Sequence, residues 1–195
     1  MWFSESSVTE PLHYRYFMPI TLRTATPADA GRLAALAAVT FPLACPSHTT
    51  DEAKAAFIAK ELSEQRFAEY TAAADRVVIM AEDGADEPAI GYTMLVFGEP
   101  RDPDVMAAVS IRPTSELSKC YVLPGHHGAG VAGMLMDASL EAARAHGAVG
   151  MWLGVNEENG RAHRFYGKHG FGVVGMKHFT VGDRLEDDHV LERAL

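Results

Sequence analysis

The 195-residue sequence predicts a single α/β domain built on a mixed, mostly antiparallel central sheet. Two observations carry this. A pair of short apolar runs at 75–81 and 89–97 is separated by the polar turn Glu82-Asp83-Gly84-Ala85-Asp86-Glu87-Pro88, which reads as an antiparallel hairpin. One strand–helix–strand unit then spans residues 114–155, and its parallel crossover places helix against sheet. The length suits one domain, and apolar residues at 48% are enough for a substantial core.

Taken in order, residues 20–23 form the first strand candidate. Thr26-Pro27-Ala28-Asp29 opens a helix, with Thr26 as cap, Pro27 in the first turn and an acid near the positive end. Leu33, Leu36, Ala37 and Phe41 recur at helical spacing, and Pro42 is expected to end that helix. Thr49-Thr50-Asp51-Glu52 carries a capping-box pattern, and the helical stretch it starts runs to about residue 73 with a break. After the hairpin come a strand at 114–123, a long helix at 130–146 closed by Gly147, and a strand at 149–155. A short helix at 159–169, closed by Gly170, precedes two closing strands at 171–181 and 189–195. Residues 1–17 read as a poorly ordered extension, Met18 as an alternative start, and 18–195 as the domain.

Charge and composition exclude several classes. The net charge of −9 and pI near 5.4 argue against nucleic acid, whose phosphates attract clustered Lys and Arg. No apolar run has the length of a membrane span, and the N-terminus lacks the basic-then-apolar order of a secretory signal. Cys45 and Cys120 form neither a disulfide scaffold nor a metal set; two free thiols point to the cytoplasm. The nine histidines show no metal-ligand spacing, so no metal is expected.

The most informative segment is the turn from Tyr121, Val122 and Leu123 through Pro124-Gly125-His126 to His127, Gly128, Ala129, Gly130, Val131, Ala132 and Gly133. A strand ends, small residues let a ligand approach, and a helix starts with unpaired N–H groups and a positive dipole end: a site for a phosphate or pyrophosphate. Gly128-x-Gly130-x-x-Gly133 also satisfies the dinucleotide fingerprint, and Glu157 and Glu158 fall near the expected ribose-binding position. Against that reading, Pro124 to His127 intervene between strand and first glycine, a hairpin precedes the unit, and consecutive strands follow it. No Gly-Lys-Ser/Thr is present for a P-loop.

At these residues the chain resembles the GNAT acetyltransferases. Their Arg/Gln-x-x-Gly-x-Gly/Ala turn is met by His127 through Ala132 except at its first position, and their Asn-x-x-Ala-x-x-aromatic-Tyr-x-Lys-x-Gly-Phe signature is met from Asn159 to Phe171. The resemblance spans about residues 20–195, and segments 116–123, 152–155 and 179–183 look most like PaiA-type polyamine acetyltransferases. It implies acetyl-coenzyme A as acyl donor. The pantetheine arm would pair with the backbone of 121–123, where that strand splays from the one at 149–155. The diphosphate would rest on the N–H groups of 128–133, and Asn159 would bond the arm. His127 leaves one side-chain contact open. Tyr166 takes the family's place of general acid, and Glu116 is a candidate base, directly or through water. In some relatives a base Glu occupies the position of Gly154. An amine must lose a proton before it attacks, and a backbone N–H in 120–123 would hold the oxyanion. The acceptor is expected to be a small-molecule, polyamine-like amine or a peptide, near Glu61, Glu64, Glu69, Asp183, Glu186 or Asp187. Many relatives pair through their sheets, so a homodimer is compatible. The rival readings are a non-catalytic acyl-coenzyme A sensor and a dinucleotide-dependent oxidoreductase.

Overall fold

The computed structural model describes residues 20–84, 88–126, 130–181 and 184–195; the expected extension at 1–17 lies outside them. Seven strands form one sheet: β1 (Thr21–Thr24), β2 (Arg76–Glu82), β3 (Ala89–Phe97), β4 (Thr114–Val122), β5 (Gly150–Asn156), β6 (Gly172–Val181) and β7 (Arg184–Ala194). Their order is β1-β2-β3-β4-β5-β7-β6, and β4–β5 is the one parallel pair. Six helices complete the described chain: α1 (Ala30–Ala44), α2 (Asp51–Glu61), α3 (Glu64–Ala72), α4 (Pro103–Ala108), α5 (Val131–Ala145) and α6 (Gly160–Lys168).

Strand alternation divides these helices between two faces. Leu33, Leu36 and Ala37 of α1 and Phe67 and Tyr70 of α3 pack on Val78, Met80, Tyr92 and Met94. The odd-numbered neighbours Ile79 and Ala81 meet Val131 and Leu135 of α5 on the other side. Along the second half of the sheet, Leu117, Met151, Leu153, Val155 and Leu191 point to α5 and α6, whereas Trp152 and Val190 meet Val105 and Val109 beside α4. On the first face, therefore, α1–α3 cover one half and α4 the other, with a gap between them above β4 and β5.

Two local expectations are corrected. Pro42 does not end α1, which runs on to Ala44. A proline so close to a helix end forfeits a single backbone bond, and the added residues carry Ala44 to the gap beside Phe41. Helix α4 is not among the elements expected from the sequence, although its start is written plainly: Asp102 accepts from the backbone N–H groups of Asp104 and Val105 at 2.9 and 3.2 Å, and Pro103 fills the first turn. The expected break after the second helix falls at Leu62-Ser63, where buried Leu62 turns inward and Ser63 caps α3 by accepting from Arg66 N–H.

The start of α1 is fixed by charge. Arg23 of β1 donates to both carboxylate oxygens of Asp29 at 2.6 and 2.8 Å and to Glu82 of β2 at 2.9 Å, while Arg32 of α1 lies 2.7 Å from Glu82. Asp29 is buried, and the Arg23 guanidinium, followed by Thr26, holds its carboxyl well below the usual range. Because the folded-state pKa is depressed, this stabilisation is present above the unfolded value near 4 and is lost as pH falls through it toward the folded value. Asp29→Ala should cost about 1–2 kcal/mol, since it removes charge-assisted bonds to Arg23 and the bonds from Thr26 while Arg23 keeps Glu82. Chemical denaturation near neutrality checks this, and the variant's deficit should shrink in acid.

Candidate active site

The site begins where β4 and β5 part. They pair at Thr114↔Gly150, Ser115↔Met151 and Glu116↔Trp152 and then diverge. In β4 one extra residue, Ser118, intervenes, because Met94 faces Lys119 while the next residue, Leu95, faces Leu117. Such a bulge bends and twists its strand. The Leu123 N–H donates to Ile90 O at 2.8 Å, so the alternate pairs turn the backbone groups of Tyr121 and Leu123 toward β3 and those of Cys120 and Val122 toward the fork. Of the segment expected to pair with an acyl-donor arm, 121–123, Val122 therefore has its backbone on the fork side, next to Cys120, while Tyr121 offers its side chain.

Two cavities meet at the fork. The narrower, about 210 Å³, runs between Val122, Ala132 at the start of α5, and Arg161 and Phe165 of α6. The larger, about 450 Å³, occupies the gap beneath Phe41, Pro46, Lys54 and Phe57. Ala44, Cys120, Tyr121, Asn159, Ala162 and Tyr166 line both.

Gly130 caps α5 with φ +82°, a conformation that costs other residues, and as a glycine it brings no side chain to the first-turn N–H groups of Val131, Ala132 and Gly133. A Cβ added at Gly130 or Gly133 would meet nothing within 4 Å, so this flank is open. Val131 is fully buried and contributes only backbone. His127, Gly128 and Ala129 lie outside the described residues. Arg161 brings a guanidinium to the same cavity, and nothing in the sequence reading singled it out.

Tyr166 sits on the boundary between the cavities, its ring 5.4 Å from Phe165 and 6.0 Å from Phe171. Burial first, then the fields of Cys120 and Tyr121 and a hydrogen bond with the Cys120 thiol, pushes its phenol well above the ordinary value, so it stays neutral. Burial likewise pushes Cys120 up to about 12, leaving a protonated thiol and a poor nucleophile. Asn159 caps α6 by accepting from Ala162 N–H at 3.0 Å, which leaves its amide NH2 for a ligand. Glu116 reaches the larger cavity from the β4 face that also carries Lys119 and Tyr121.

The acids expected around the acceptor are sorted by the two-residue period of β7. Glu186 and Asp188 are buried and face the larger cavity, whereas Asp187 points away and pairs with His178 at 2.7 Å. Glu61 stands behind the cavity at Tyr70, accepting from its hydroxyl at 3.1 Å; Glu64 and Glu69 do not line the cavity, and Asp183 lies outside the described residues. Asp188 was not among the expected acids. It lies 3.7 Å from the Lys177 ammonium, and burial raises its carboxyl, partly offset by that lysine. Gly154 makes the pair possible: a Cβ there would come within 2.6 Å of Lys177 Cε and 3.2 Å of an Asp188 oxygen. The notch where some relatives carry a carboxylate is filled here by a lysine clamped to an aspartate. Among the described residues no three His, Cys, Asp or Glu side chains gather as a metal set, and no helix is long and apolar enough to cross a membrane.

Known proteins share this fold. The profile of the family described as "Acetyltransferase (GNAT) family" matches residues 43–171. An uncharacterized N-acetyltransferase from Mycobacterium tuberculosis is 44% identical over 167 residues, covering 86% of this chain and 98% of that protein. Among solved structures, the PaiA N-acetyltransferase from Thermoplasma acidophilum in complex with coenzyme A superposes with a TM-score of 0.71 at 19% identity, covering 91% of this chain and all of the other. Arabidopsis thaliana NAA60 in complex with acetyl-CoA gives 0.69 at 17% identity, covering 91% and 99%. The splayed fork, the open helix start and the aligned sequences together make the chain a member of the GNAT acetyltransferase family, an acetyl-coenzyme A-dependent N-acetyltransferase.

Proposed function

We propose that the chain acetylates an amine of a small molecule or peptide by direct attack on the thioester, with Tyr166 as general acid. The observation that carries this reading is the place of Tyr166: a neutral phenol where the two cavities join, bonded to Cys120 at the fork. The narrow cavity suits the donor arm, with the α5 first-turn N–H groups and Arg161 at its phosphate end. Bound there, acetyl-coenzyme A supplies an acyl carbon activated by sulfur. The Cys120 backbone, turned to the fork, offers the N–H that steadies the carbonyl oxygen.

The larger cavity receives the amine. Glu116 draws the ammonium in by charge, and Asp188, with its raised carboxyl, takes the proton. The pair at Asp188 and Tyr166 then divides the work: one removes a proton from nitrogen, the other delivers one to sulfur as the carbon–sulfur bond breaks. Burial also raises Cys45, so neither thiol is poised to carry the acetyl group, which supports direct transfer. The same two free thiols favour a reducing cytoplasm.

A panel of amines with acetyl-coenzyme A, read by thiol release, tests the reading. Turnover of at least one amine is expected; tight donor binding without thiol release from any would make the protein an acyl-coenzyme A sensor instead. Arg161→Ala should raise the KM for acetyl-coenzyme A about two- to fivefold with kcat little changed, because an exposed guanidinium adds a modest ionic contact.

A further inference from the structure

The larger cavity takes equal numbers of opposite charges from its wall: Lys54, Lys119 and Lys177 against Glu116, Glu186 and Asp188. Most are matched. Lys54 pairs with Asp51 at 3.2 Å, Lys177 with Asp188 at 3.7 Å and Glu186 with His48 at 2.8 Å. Glu116 and Lys119 are not. Among the described residues the Lys119 ammonium makes no hydrogen bond or ion pair; its contact is the face of the Tyr70 ring, 5.4 Å away. That ring is already shared with the guanidinium groups of Arg66 and Arg76, at 4.8 and 5.2 Å. The fields of Glu116 and Glu61 reach Lys119, but neither carboxylate bonds it.

A half-buried ammonium with no acceptor among the described residues favours a ligand that supplies one. Burial accordingly lowers the Lys119 pKa. The group stands on the same strand and face as Glu116, separated from it by the Ser118 bulge, with two further cations behind it. An acceptor with several ammonium groups would bring like charge to this end of the cavity. One with an anion would satisfy it.

We propose that the acceptor is a zwitterion, whose amine points to Asp188 and whose carboxylate is bound by Lys119. One ammonium matches a single negative charge, which favours a carboxylate over a doubly charged phosphate. The proposal rests on the amine-acetylating reading above and narrows its substrate class, away from polyamines.

The experiment compares ω-amino carboxylates, from glycine to aminohexanoate, with n-alkylamines of the same chain lengths and with spermidine, at saturating acetyl-coenzyme A. The best amino carboxylate should exceed its alkylamine counterpart in kcat/KM by about tenfold or more, the scale of a hydrogen bond to a charged group. In Lys119→Met that ratio should fall toward one through a raised KM, and Lys119→Arg should keep most of it. Melting temperature and coenzyme A binding verify that each variant is folded. A preference for alkylamines or spermidine, a ratio untouched in Lys119→Met, or an equal loss of kcat on every acceptor would overturn the assignment. Absence of thiol release from all three sets, by a protein that binds acetyl-coenzyme A, is a separate result: it removes the small-amine reading and this one with it.

Discussion

Replacing Tyr166 by Phe should lower kcat about 10²- to 10⁴-fold, the range typical of a positioned acid, while acetyl-coenzyme A binding stays nearly as tight. The ring packs against Phe165 and Phe171, and Phe keeps those contacts. The variant loses a hydroxyl bonded to Cys120, whose thiol is itself held protonated near pKa 12, so little folding free energy is at stake. Single-turnover thiol release separates chemistry from product loss, and calorimetry with coenzyme A gives the affinity. Turnover of Tyr166→Phe within a few-fold of the parent would remove the tyrosine from the mechanism.

The second large effect concerns Asp188 and its lysine. Asp188→Asn should lower kcat/KM near neutral pH about 10²-fold or more, with activity partly regained as the solution becomes alkaline and more amine arrives already neutral. Lys177→Met should leave the proton acceptor in place but change its titration. The groups acting on Asp188 are Lys177 from β6, Glu186 and His189 from its own strand, and Tyr121 from β4; Lys54 lines the same cavity but pairs with Asp51. Of these, Lys177 contributes most toward lowering its pKa, against the larger burial effect. Removing that ammonium raises the pKa further, so the acid limb of the kcat/KM profile should move to higher pH. Gly154→Ala should shift the limb in the same direction by pushing the lysine tip aside, since the crowded atoms are the end of a flexible chain. An acid limb that stays in place in both variants would show that some other group accepts the proton, with Glu116 the next to examine.

What could be read from residues alone follows from how local each signal is. The strand–turn–helix from Tyr121 to Gly133 and the Asn159-to-Phe171 signature are contiguous, so glycine spacing pointed to a phosphate site and the family resemblance pointed to Tyr166 and Asn159. The fork was anticipated from the family resemblance, but its cause, the Ser118 bulge, depends on pairing with β3 and leaves no mark in the sequence. The acceptor side is assembled from four strands far apart in the chain. Choosing between Asp187 and Asp188 needs the parity of β7, and a strand taken to begin at residue 189 rather than at Arg184 hid it. Lys177 and Gly154 acquire meaning only together, across β6, β7 and β5. Lys119 read as one polar residue in a strand; its want of a partner is a property of the surroundings.

The short parallel pairing of β4 and β5 also makes a statement about order in time. A sheet that stops after three paired positions is unfinished along the fork, and the proposed donor arm would be the piece that lies there. Six side chains belong to both cavities, so the wall the amine meets is complete only after that piece is in place. Bisubstrate kinetics should therefore be sequential with the thioester first, and the melting temperature should climb with its concentration, because binding to the folded form alone draws the equilibrium toward it.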